Sequence, residues 1–154
     1  MEREIAKILK RKKLTISVAE SCSGGLLSNK LTNISGSSEY FIGGVVAYNN
    51  STKIKILKVP KELLKKYGAV SEEVAKKMAE NVRKITNTDI GISTTGIAGP
   101  TGGTKEKPVG LVFIGISDEK RTIVEKFNFK GKRLEIKEKT AISSLKLLKK
   151  FLRE

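Results

Sequence analysis

Residues 109–117 read VGLVFIGIS, a run almost free of polar side chains. A strand with one face in water alternates apolar and polar residues, so a strand apolar on both faces has to be covered on both. The chain therefore needs layers above and below a sheet, and the rest of the sequence supplies them. Ile5, Ile8 and Leu9 stand at helical spacing in the first dozen residues. Leu14, Ile16 and Val18 then alternate with Thr15 and Ser17, a switch to strand period. GGLLSNKLTN predicts a short helix with Leu26, Leu27 and Leu31 inward. GGVVAYN predicts a strand, and STKIKILKV a helix that starts at Ser51 and stops ahead of Pro60. PKELLKKYG opens on proline and closes on Gly68, the usual asymmetry of a helix. In SEEVAKKMAENVRKI, Ser71 is an N-cap and Val74, Met78 and Val82 form one core stripe. DIGISTT predicts a strand, RTIVEKFNF an outer antiparallel one, and residues from about Gly131 to Phe151 a long helix with Ala141, Leu145, Leu148 and Leu152 inward. Helices interleaved with strands, with one hairpin, predict a single α/β domain over residues 1–154: three α/β/α layers around a mixed, mostly parallel sheet.

The chain has no histidine. That excludes Ser-His-Asp and Cys-His catalysis and removes the usual nitrogen ligands of zinc. A general base has to be Lys, Asp, Glu, Tyr or an activated water. A single cysteine forms no internal disulfide, which fits a reducing cytoplasm, and no apolar run is long enough for a bilayer. The formal net charge of +15 attracts anions. Aromatic residues are few and do not alternate with the basic ones as a base-stacking platform requires, so nucleic acid is not the expected partner.

Small polar residues gather in four segments at strand ends: ESCSGG, SGSSEY, AYNNSTK and TTGIAGPTGG. Open α/β folds place ligands there. Without histidine, a serine can be activated by a lysine whose amine is neutral near pH 7, which burial and neighbouring positive charge both favour. In SSEYFIGGVVAYNNSTK, Ser38 precedes a strand, while Tyr48 and Lys53 follow it. Their convergence requires Ser38 to fold back over the far end of that strand. In the loop GIAGPTGGTKEKP, Gly96, Gly99, Gly102 and Gly103 let the main chain approach a ligand, without the spacing of a P-loop. Cys22 is a second candidate nucleophile, and otherwise a small buried residue at a strand–helix junction.

VAESCSGGLL, ISGSSEYFIGGVVAYNNSTK, YGAVSEEV and STTGIAGPTGGTKEKPVG together resemble the CinA C-terminal domain family, in order, over roughly residues 5–150. The resemblance implies a stand-alone, cytoplasmic amidohydrolase that converts nicotinamide mononucleotide to nicotinate mononucleotide and ammonia. It implies a Ser-Lys acyl-enzyme route, needing neither cofactor nor metal, and self-association into dimers or larger assemblies. By motif, Ser38 is the nucleophile, Lys53 the base, and Tyr48 the residue that orients the pair. Thr95, Gly96 and Arg133 bind substrate, although Lys132 stands where the family has aspartate. Ser21, Ser23, Gly24 and Gly25 then form a ligand-holding wall, with the glycine N–H groups offered to substrate. The opposing reading is a non-catalytic nucleotide-binding module linked to competence or the DNA-damage response.

Overall fold

A computed structural model describes residues 1–154. Helix α1 (Glu2–Lys12) leads into strand β1 (Ile16–Glu20), followed by α2 (Leu26–Leu31) and a single 3-10 turn over Ser37–Glu39. Strand β2 (Phe41–Val46) is followed by α3 (Asn50–Lys55), α4 (Lys61–Tyr67) and α5 (Glu72–Thr86). Strands β3 (Ile90–Gly96), β4 (Leu111–Ser117) and β5 (Thr122–Asn128) then precede the long α6 (Arg133–Arg153). The sheet order is β2-β1-β3-β4-β5. β1 pairs in parallel with β2 and β3, while β4 is antiparallel to β3 and to β5. Four strands thus run one way and only β4 runs the other, the mixed, mostly parallel arrangement expected.

The three layers follow from two apolar clusters. On one face α1, α2 and α6 pack Ile5, Leu9, Leu27, Leu145 and Leu148 against Ile16, Ile92 and Ile114. On the other face Val74, Met78 and Val82 of α5 meet Ala19, Leu57 and Val59. Each such fully buried aliphatic side chain contributes about 1.5–3 kcal/mol of transfer free energy. β-Carbons at Gly91 and Gly115 would lie 2.2 Å from the Ala79 carbonyl oxygen and 2.9 Å from that of Ala75. The backbone of α5 therefore rests directly on β3 and β4.

Three elements have boundaries that differ from the sequence reading. β1 begins at Ile16 and continues through Glu20, and β2 begins at Phe41. The register between them slips at Ile42, because Ile16 is opposite Phe41 while Ser17 is opposite Gly43. One extra residue in an edge strand extends it beyond what side-chain alternation shows. Helix α3 starts one residue earlier than expected, because Asn49 is the cap, its side chain accepting from Ser51 N–H at 2.8 Å.

The register also fixes where chemistry can gather. Val46, Glu20 and Thr94 lie in one row across β2, β1 and β3. Residues just after them, Ala47, Ser21 and Thr95, emerge side by side at the same end of the sheet.

Candidate active site

Lys53 is 1% exposed and among the largest fully buried side chains of the protein. Its position follows from a tight reversal: β2 ends at Val46, Asn49 caps α3, and the second turn of that short helix brings Lys53 back over the strand end. Its Nζ is 2.8 Å from the Ala47 carbonyl oxygen, 3.3 Å from that of Tyr48 and 3.1 Å from Ser21 Oγ. No carboxylate pairs with it. Burial without a counter-charge penalises the ammonium form and holds the Lys53 pKa below the ordinary lysine value of 10.5. A neutral amine in this place has two N–H bonds for the two carbonyls and a lone pair left for the serine hydroxyl. That is the arrangement a lysine general base needs.

Ser21 owes its place to the neighbouring strand. Its N–H donates to the Thr94 carbonyl oxygen at 3.0 Å and lies 3.3 Å from Thr94 Oγ1. The turn after it closes when Gly24 N–H donates to the Ser21 carbonyl, with Gly24 and Gly25 at φ of 60° and 103°. Left-handed backbone at two successive positions is the reason for two glycines here. Ser21, Cys22, Tyr48, Lys53, Thr95 and Gly96 all line a cavity of about 200 Å³.

Ser38 is not part of this constellation. It is exposed in the 3-10 turn that precedes Phe41, whereas Lys53 lies beyond Val46. Six strand residues, about 20 Å of extended chain, separate the two ends, and the chain does not double back. The expected Ser38–Lys53 pair is therefore replaced by Ser21–Lys53. Tyr48 touches Lys53 only through its main-chain carbonyl. Its 58% exposed phenol accepts from Arg133 Nη2 at 2.7 Å, so it does not orient the pair.

Arg133, the first residue of α6, also donates from Nη1 to the Gly99 carbonyl at 2.6 Å and pairs with no carboxylate. It thus spans from Tyr48 to the glycine loop. The lysine at position 132 leaves this helix start intact, because Glu135 accepts from Lys132 N–H at 3.0 Å. Lysine itself has no acceptor to offer as a cap, so only this half of a capping box is present.

Thr95 is buried, lines the cavity and donates to the Ala69 carbonyl at 2.7 Å, so its hydroxyl proton is already engaged. A β-carbon on Gly96 would lie 2.6 Å from Val112 Cγ2, so this glycine answers to packing against β4 as well as to the cavity. Ser23 is wholly buried and bonded to Glu20 and Thr94, not turned to a substrate. Gly24 N–H, closed on Ser21, is likewise not on offer. The Cys22 thiol is pushed up to about 12, chiefly by burial, and is a protonated core side chain at neutral pH.

Glu20 and Thr94 were not singled out by sequence reasoning. Glu20 reads as the first letter of a turn, and Thr94 as a strand residue. Their signal lies in pairing across strands, which no spacing along the chain reports.

The fold and this geometry define an α/β domain with a buried, histidine-free serine–lysine pair at the carboxyl ends of parallel strands. The profile of the CinA C-terminal domain family matches residues 1–152, and the chain belongs to that family. A CinA-like protein of Thermotoga maritima is 50% identical over 153 residues, which are 99% of this chain and 37% of the relative. The chain thus spans little more than a third of the curated relatives it matches. The crystal structure of the competence/damage inducible protein CihA from Agrobacterium tumefaciens superposes with a TM-score of 0.96 at 35% identity, covering 99% of this chain and 93% of that one. The competence damage-inducible protein A of Klebsiella pneumoniae gives a TM-score of 0.96 at 28% identity, with 99% and 95% covered. No helix is long and apolar enough to cross a membrane.

Proposed function

We propose that the chain hydrolyses the carboxamide of nicotinamide mononucleotide, with Ser21 as nucleophile and Lys53 as base. The observation that carries this reading is the 3.1 Å approach of Lys53 Nζ to Ser21 Oγ inside a site that holds the amine toward its neutral form. The amine takes the Ser21 proton as Oγ bonds to the amide carbon. The tetrahedral adduct collapses with cleavage of the C–N bond, and Lys53 returns the proton to the departing nitrogen as ammonia leaves. Water, deprotonated by Lys53, then attacks the serine ester. The C–Oγ bond breaks, Oγ regains a proton from Lys53, and nicotinate mononucleotide is released. The developing oxyanion calls for main-chain donors other than Gly24 N–H, which is closed on the Ser21 carbonyl, and each such donor is worth about 3 kcal/mol of barrier. Arg133, bonded to the hydroxyl of the cavity-lining Tyr48 and without a carboxylate partner, is the cation for the substrate phosphate, and Thr95 Oγ1 accepts from or steers the amide.

The test is ammonia release from nicotinamide mononucleotide by the purified chain and by Ser21→Ala, Lys53→Ala and Ser38→Ala. Turnover lost in the first two and kept in the third supports the reading. An inactive wild type supports the non-catalytic nucleotide-binding module.

A further inference from the structure

Glu20 is wholly buried, yet no lysine or arginine forms an ion pair with it. Desolvating a carboxylate is costly unless donors replace the lost water, and here four do. Oε1 accepts from Ser23 Oγ at 2.6 Å and from Leu27 N–H at 2.8 Å. Oε2 accepts from Ser28 N–H at 3.0 Å and from Ser28 Oγ at 2.6 Å. The two oxygens thus face different tasks. Oε2 holds only α2. Oε1 also holds Ser23, whose hydroxyl is 2.7 Å from Thr94 Oγ1. Thr94 in turn accepts the Ser21 N–H.

Donor count fixes the direction of this chain. Both Glu20 oxygens accept main-chain N–H groups, and Ser23 has a single hydroxyl proton, which it directs to Oε1. Ser23 therefore donates to Glu20, which obliges the Thr94 hydroxyl to donate to Ser23 Oγ. A lone pair of Thr94 Oγ1 is then free to face the Ser21 N–H. The order runs from carboxylate to serine to threonine to the main chain of the nucleophile, every bond with its proton assigned.

The structure assigns to Glu20 the role of a positioning residue that acts through Ser23 and Thr94 to set Ser21 against Lys53. The assignment rests on the reading of Ser21 as nucleophile. It goes beyond that reading by naming a carboxylate that touches neither substrate nor base, and by giving the polarity of the relay.

Ser23 and Ser28 offer a matched pair for the test, since both hydroxyls bond Glu20 at 2.6 Å, on opposite oxygens. Ser23→Ala, Ser28→Ala and Glu20→Gln are compared for kcat, KM, melting temperature and the rate at which a fluorophosphonate labels Ser21 across pH. Ser23→Ala and Glu20→Gln are expected to lower kcat and the plateau labelling rate about 10- to 100-fold. KM and the pH midpoint should stay near wild type. Ser28→Ala should match Ser23→Ala in lost melting temperature yet keep kcat within about threefold, an expectation from losing the same kind of hydrogen bond. Equal losses of kcat in both serine variants, or none in either, overturn the assignment and leave Glu20 a helix anchor. A displaced pH midpoint in Glu20→Gln overturns it in favour of a field on Lys53. If Glu20→Gln does not fold, the serine pair alone decides. A wild type that neither releases ammonia nor labels at Ser21 removes the nucleophile reading and this assignment with it, whereas full activity in Ser23→Ala with a dead Ser21→Ala removes the assignment alone.

Discussion

The two ends of the sheet invert the usual relation between size and chemistry. A cavity of about 720 Å³ opens at the amino ends of β1 and β3, among Lys12, Arg83, Asp89, Arg121 and Glu154. The cavity around Ser21 and Lys53 holds about 200 Å³. At the roomy end, charges answer one another in water: Arg121 and Glu154 pair at 2.8 Å with both side chains more than two-fifths exposed. At the small end a single amine is stripped of water and given two carbonyls and a hydroxyl. Exposed pairs contribute about 0–1 kcal/mol and bias no proton, whereas an uncompensated buried amine is pushed toward its basic, neutral form. Desolvation, not volume, marks the end proposed to carry the chemistry.

The largest effect that separates the ends is on turnover. Ser21→Ala and Lys53→Ala are expected to lose about a thousandfold or more in kcat, the scale of removing a nucleophile or its base. Arg121→Ala, at the roomy end, should stay within about twofold, as surface changes away from the chemistry do. Steady-state ammonia release reads both.

Next comes proton linkage. The folded Lys53 pKa lies below the ordinary 10.5. Between the folded value and 10.5, the unfolded chain binds more protons at this residue than the folded one does. Wild-type stability relative to Lys53→Met therefore grows as pH rises through that window, by up to about 1.4 kcal/mol per pH unit, and the gain is lost as pH falls through the folded value. Denaturant melts of the two proteins at several alkaline pH values check the slope; an equal slope in both would show that Lys53 titrates normally. The activity of the wild type should climb as pH rises toward and through the folded Lys53 value and level off above it, where the amine is already neutral.

Two smaller effects complete the contrast. Ser38→Ala, exposed at the end remote from Lys53, should leave kcat within about twofold, as is usual for a surface site. Removing the Arg121–Glu154 pair by Glu154→Gln should change stability by about 1 kcal/mol or less, and less again in high salt.

Most of the architecture was legible because it depends on local pattern. The apolar run that includes Leu111–Ser117 became a strand covered on both faces, and the stripe of Val74, Met78 and Val82 became the inner side of α5. Lys53 was also legible as a candidate base. Its partner was not, because Ser21 stands 32 residues away along the chain and meets it only through sheet order. β1 lies between β2 and β3, so the residues after Glu20, Val46 and Thr94 come together. Ser38 is nearer in sequence but on the wrong side of a strand. The same reason hid Thr94, whose importance lies in the strand beside it, and Glu20, whose partners are first-turn N–H groups of the helix that follows.

The burial of Cys22 has a consequence for durability. It is the chain's only thiol, adjacent to the proposed nucleophile, and its ionisation is pushed up to about 12. Peroxides and alkylating reagents consume the thiolate, of which almost none exists at pH 7. The proposed oxygen nucleophile thus has a neighbouring sulfur that is silenced. The site should keep working through oxidising conditions that disable thiol-dependent hydrolases, with no reductant needed to restore it.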